Sequence, residues 1–198
     1  AGIITLDPAG GALVVAPGAG QPVKVSLAQV QRATFEAYSL EATNNVIPAD
    51  KAGSGNGLLG TYFKHSDFAG RTVHRLDETV NFDWGTGAPI ATVHHDYFSI
   101  RWSGEVEAPV SGEYTFIIQT DDGGRLWVNN QQLADNWRSP ETPEASGVIT
   151  LEAGRKYSLK FESHDTTGNA RARLLWSGPG IPRSVVPRSQ LYASSPLG

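Results

Sequence analysis

Among the 198 residues there is no cysteine and no methionine. Without cysteine there are no disulfides and no thiolate metal sites, although the compartment stays open. Because methionine is missing even at position 1, the chain reads as processed or excised, with any signal peptide already removed. No Asn-x-Ser/Thr acceptor occurs, and no apolar run approaches the roughly 18 residues that a spanning helix needs, so membrane insertion is not expected. Formal net charge is −4 and no basic patch stands out, which argues against nucleic acid as a partner. G-x-S-x-G, the P-loop and HExxH are all absent.

What is present is a globular composition, 39% hydrophobic and 18% charged. Residues 1–50 differ from the rest. Ile3–Leu6, Ala12–Val15 and Val23–Val25 read as short strands, with Asp7-Pro8 and residues 18–20 as turns. Ser26 is placed to cap a short helix carrying Leu27, Val30 and Ala33 on one face. This segment reads as a small β appendage closed by a helix. The Gly/Ser/Asn-rich stretch around residues 51–57 reads as a flexible linker. Gly55-Asn56-Gly57-Leu58-Leu59-Gly60 matches GxGxxG in form, but a linker precedes it and a β-type run follows, so it is not a nucleotide loop.

From Leu58 onward the pattern is all-β. Phe98, Ile100 and Trp102 share one face of a strand, as do Tyr114, Phe116 and Ile118. Leu126 and Val128 precede a turn at Asn129-Asn130. Tyr157, Leu159 and Phe161 alternate, and Ala172, Leu174 and Trp176 do so opposite Arg171 and Arg173. Short strands at this spacing predict a sandwich or barrel over residues 58–193, followed by a tail at 194–198. Trp102, Trp127 and Trp176 fall inside strands as packing residues, whereas Trp84 and Trp137 fall in loop-like stretches. A loop tryptophan either packs at a rim or stacks on a sugar.

Asp121-Asp122 sits where a strand ends, before Gly123-Gly124, and reads as the tip of a hairpin. Two interpretations stand. Asp is common in turns because its side chain accepts from nearby backbone N–H groups. Alternatively, adjacent carboxylates repel unless a cation lies between them, and Ca²⁺ prefers several oxygen ligands. No EF-hand spacing follows, so such a site would need a second loop, with residues 163–169 and 135–137 the oxygen-rich choices. His94, His95 and Asp96 read as loop or surface residues, since adjacent strand residues point to opposite faces. Two carboxylates side by side do not supply the opposed pair of a glycosidase, and no enzyme is expected.

The stretches GLLGTYF, FSIRWSGEVEAPVSGEYTFIIQTDDGGRLWVNNQQLADNW, VITLEAGRKYSLKFES and RARLLWSGPG…RSVVPRSQLY resemble, in this order, the PA-fourteen domain. The resemblance covers roughly residues 57–193 and implies a two-sheet β-sandwich. In sugar-binding members two adjacent Asp residues joined by a cis peptide ligate Ca²⁺, and they resemble Asp121 and Asp122. It further implies a ligand at Asp165, carbonyl oxygens from Thr167 and Asn169, and a sugar face shaped by Trp137 or His164. The function so implied is a calcium-dependent carbohydrate-binding module of a secreted, cell-surface or periplasmic protein with further domains. The alternatives are a structural or protein-interaction spacer and a non-catalytic accessory domain of a glycoside hydrolase.

Overall fold

The computed structural model describes residues 3–7, 12–16, 23–26, 52–138 and 143–194. The chain divides into two compact units, Ala1–Asn44 and Asn45–Gly198. In the first, β1 (Ile3–Asp7), β2 (Ala12–Ala16) and β3 (Val23–Ser26) form an antiparallel sheet in that order. Each strand extends one residue beyond the run of β-type side chains that predicts it. The helix expected after Ser26 lies outside the described residues.

The second unit is a sandwich of two antiparallel sheets. Its strands are β4 (Leu58–Phe63), β5 (Thr72–Asp77), β6 (Asn81–Gly85), β7 (Ser99–Glu107), β8 (Gly112–Asp121) and β9 (Gly123–Val128), followed by β10 (Gln131–Asp135), β11 (Glu144–Leu151), β12 (Lys156–His164), β13 (Ala170–Gly178), β14 (Ile181–Val185) and β15 (Leu191–Ala193). One sheet runs β10-β9-β12-β7-β4-β5, with β15 also on β7. The other runs β11-β8-β13-β14, with β6 also on β13. Two long strands each hold two short partners end to end along one edge. Ser99–Ser103 of β7 pairs with β4, and Gly104–Val106 pairs with β15.

The alternation in the sequence is the alternation of burial. Ile100, Trp102, Tyr114, Phe116, Ile118, Leu126, Val128, Phe161, Ala172, Leu174 and Trp176 are all fully buried between the sheets. Trp102 sits among Phe161, Phe82 and Tyr62, with ring centroids 5.2, 6.1 and 6.4 Å away. Asn129 and Asn130, both with positive φ, close the β9–β10 hairpin in the conformation a two-residue turn requires. Trp84 departs from expectation, and Trp127, in a strand as expected, packs outside the core. Trp84 lies on strand β6, stacked on Phe82 at 5.1 Å. Trp127 faces outward, beneath the Lys160 ammonium at 3.8 Å.

The glycine-rich entry is bonded into the sandwich. Ser54 N donates to the Tyr192 hydroxyl, Gly55 N to Ser189 O, and Asn56 N and Gly57 N both to Leu191 O. Gly60 serves a close approach, because a Cβ there would lie 2.4 Å from the Asp77 carboxylate. Asp77 is buried and accepts from Trp102 Nε1 at 2.7 Å, from the Tyr62 hydroxyl at 2.6 Å and from Arg75 Nε at 2.5 Å. Burial, reinforced by this carboxylate, pushes the Tyr62 phenol far above its ordinary range.

Replacing Asp77 by Ala strands two buried donors and removes the partner of Arg75. A loss of about 3 kcal/mol is expected in urea unfolding. A loss below about 1 kcal/mol would mean that Tyr62 and Trp102 do not depend on this carboxylate.

Candidate functional site

Asp121 and Asp122 are not at a hairpin tip. β8 belongs to one sheet and β9 to the other, and Asp122 alone separates them. The peptide between the two Asp residues is cis, as the resemblance implies. Gly123 and Gly124 are the first residues of β9, opposite His164 and Ser163 of β12. A Cβ on Gly123 would lie 2.8 Å from both His164 Nε2 and Trp137 O. Glycine is needed here for close packing rather than for a turn, and the two uses look alike in a sequence.

Asp122 N donates to His164 O at 3.1 Å. Its Oδ2 accepts from Thr166 N at 2.7 Å and from the Thr166 hydroxyl. The Asp side chain therefore does cap a backbone N–H, but on a loop 44 residues away. Asp121 is half-buried opposite Arg171 of β13. Burial first, then the Asp122 charge, raises its carboxyl above the ordinary value, and Arg171 opposes the shift.

Asp165 completes the group. Its side chain is 1% exposed, and neither carboxylate oxygen has a hydrogen-bond partner. Burial, followed by the charges of Asp122, Asp96 and Asp121, pushes its carboxyl up from 3.8 to about 7. Asp96 accepts from Gly168 N at 3.2 Å and faces His95 Nε2 at 3.4 Å. The fold thus puts Asp165 within the electrostatic field of Asp122, Asp96 and Asp121.

Other expected members fall differently. Thr167 and Asn169 are exposed in the turn after Asp165, and it is Thr166 that engages Asp122. Trp137 is half-buried, stacked on Phe68 at 5.7 Å, with the Arg125 guanidinium 4.1 Å from its ring centroid. His164 packs against it at 4.1 Å, and its Nε2 lies 3.3 Å from Trp137 O. These neighbours make Trp137 a packed rim residue rather than an open platform. His94 and His95 lie exposed in the β6–β7 loop, as read from the sequence. Thr166 and Asp96 were missed as parts of the site, since their contacts cross long stretches of chain. Only the oxygen-rich composition of residues 163–169 pointed to one of them.

Whether a cation fits is a matter of which oxygens are free. Among the described residues no three His, Asp or Glu side chains form a ligand set by themselves. A cation would therefore draw further oxygens from backbone carbonyls, amides or water, as Ca²⁺ sites commonly do. The two unbonded oxygens of Asp165 fit that role. Burying them charged costs free energy unless a positive group is near. The donors are all oxygen, which suits a hard ion such as Ca²⁺ better than Zn²⁺.

The raised Asp165 carboxyl sets a pH dependence for the metal-free protein. The folded state holds a proton up to about pH 7, whereas an ordinary carboxyl loses it near 3.8. The folded state therefore binds more protons across that window, and stability falls as pH rises through it. Asp165→Asn removes this loss. In chelator the variant should melt higher than the parent at pH 8, with the gap closing toward pH 4.5. An equal melting temperature at pH 8 would show that the carboxylate carries no such penalty.

Comparison with known proteins gives the span a family. The family described as PA14 domain matches residues 54–190. The anti-sigma-I factor RsgI3 of Acetivibrio thermocellus is 43% identical over 142 residues, 72% of this chain and 22% of its own length. The chain thus spans about a fifth of that curated relative. An anti-sigma factor domain-containing protein from Clostridium clariflavum superposes with a TM-score of 0.70 at 30% identity, covering 92% of this chain and 60% of that one. A PA14 sugar-binding domain from an RTX adhesin shares the fold, with a TM-score of 0.52 at 17% identity, over 71% of this chain and 99% of its own. The matched residues take in the whole Asp121-to-Asp165 region and nearly all of the two-sheet sandwich, and the chain belongs to the PA14 domain family.

Proposed function

We propose that this chain is a non-catalytic, calcium-dependent carbohydrate-binding module that works outside the cytoplasm, as part of a secreted, cell-surface or periplasmic protein. The observation that carries the reading is Asp165, a buried carboxylate with both oxygens unbonded, beside the Asp121-Asp122 crossing. In this reading Asp121, Asp122 and Asp165 hold the ion, with oxygens of Thr167 and Asn169 added from the neighbouring turn. A bound Ca²⁺ would neutralise the carboxylates and accept sugar hydroxyls. Asp121 and Asp122 would accept hydrogen bonds from those hydroxyls, and His164, backed by Trp137, would border the sugar. The sugar-binding domain of the RTX adhesin shares this fold and supports the reading by analogy. No helix among the described residues is long and apolar enough to cross a membrane.

A second reading draws on the anti-sigma factor relatives. The module would be the ligand-sensing or spacer part of a longer regulatory protein. The two readings agree if sugar is the signal, and they part if the sandwich binds no glycan.

Calorimetric titration of calcium into metal-stripped protein tests the first reading. Saturable binding is expected in the parent and is lost in Asp122→Ala, followed by calcium-dependent retention on a glycan array. Absence of calcium binding in the parent would reduce the site to a structural crossing and favour the spacer. Hydrolysis of a chromogenic glycoside would overturn the non-catalytic assignment.

A further inference from the structure

Lys64 and His65 follow β4, while His94, His95, Asp96 and Tyr97 precede β7, and these six line one cleft of about 380 Å³. Both loops are held from behind. The Ser99 hydroxyl donates to His65 O at 2.6 Å and accepts from Phe68 N at 3.0 Å. Tyr97 N donates to Thr166 O at 3.2 Å, and Gly168 N donates to Asp96 Oδ1. Asp96 belongs both to this cleft and to the carboxylate group around Asp165, so the cleft adjoins the proposed ion site.

Tyr97 stands out among the lining residues. Its side chain is 59% exposed, and its φ of 57° is in the left-handed region that few non-glycine residues adopt. An aromatic ring held outward on a bonded loop has the form of a stacking surface for a sugar, the role the sequence suggested for Trp137. The other lining side chains are Lys64, whose ammonium has only donors, and three histidines, whose imidazoles when neutral each offer one N–H and one acceptor nitrogen. The single carboxylate, Asp96, is already engaged by Gly168 N and faces His95. A neutral hexose presents hydroxyls that both donate and accept. The ammonium is the one lining group that favours a negatively charged acceptor over a neutral hydroxyl, and imidazole N–H groups can add hydrogen bonds to such an acceptor. His65, His94, His95 and Asp96 do not themselves form a metal site.

We propose that this cleft receives the carboxylate of a uronic-acid unit, with Lys64 as its charge partner and Tyr97 as the stacking surface, beside the sugar unit held at the ion. The inference rests on the carbohydrate-binding reading above and names the class of saccharide.

Matched glycosides that differ only at C6 test it: methyl glucuronide against methyl glucoside, and methyl galacturonide against methyl galactoside. Each is titrated into the calcium-loaded chain and followed by protein NMR. At least one uronide should bind about fivefold or more tighter than its neutral partner, a preference that shrinks as salt is raised. Lys64→Gln should bring the preference below about twofold by weakening the uronide more than the neutral glycoside. Tyr97→Ala should weaken both members of the pair. Equal affinity within both pairs, or a preference that survives Lys64→Gln, overturns the proposal. Neutral binding that requires Asp122 without any uronide preference overturns the cleft and leaves the carbohydrate reading standing. A Lys64-dependent uronide preference retained in Asp122→Ala supports the cleft and removes the ion-held sugar. Binding of none of the four glycosides overturns both.

Discussion

A single residue carries the chain from one sheet to the other. β8 ends at Asp121, β9 begins at Gly123, and the two strands lie in different layers of the sandwich. Much of the site follows from this constraint. The first two residues of the incoming strand have no room for side chains, and Gly123 lies against Trp137 and His164 where a Cβ would not fit. The crossing is tied down from the β12–β13 loop, where Thr166 donates twice to Asp122. That tie places Asp165 beside the two Asp residues. The concentration of carboxylates is thus a product of the strand order, and each member comes from a segment the sandwich already needs.

Two buried Asp residues show opposite solutions to one problem. Asp77 has two buried donors and a guanidinium around it, so its charge is compensated within the chain. Asp165 has no donor at all on its side chain and three other carboxylates in its field. The first is a group that holds a core together. The second has no compensating group within the described residues, and the proposed ion would supply that compensation.

The fold was readable where the information is local. The alternation in Tyr114, Phe116 and Ile118, or in Ala172, Leu174 and Trp176, has the two-residue period of a strand with one buried face, and each of these side chains is buried. The family resemblance carried Asp121, Asp122 and Asp165 as candidate ligands, and the structure places Asp165 within the electrostatic field of the other two without forming a ligand set from side chains alone. What stayed hidden depends on contacts across the fold. Thr166 meets Asp122 across 44 residues, and no spacing rule distinguishes it from Thr167. Gly123-Gly124 looked like a turn because glycine serves turns and tight packing equally. Trp84 looked like a loop residue because β6 is short and ends at Gly85.

The segment 53–57 lies along residues 189–193, so the chain enters and leaves the sandwich at one place. Along β7 that place is near Val106, which pairs with Leu191, while Ser99 at the strand's other end pairs with His164 beside the carboxylates. Seven residues of extended strand, on the order of 20 Å, separate the two. Within the sandwich, the segments that bring the chain in and out are therefore hydrogen-bonded at one end of β7 and the carboxylates occupy the other, so the effects of substitutions at the two ends should simply add.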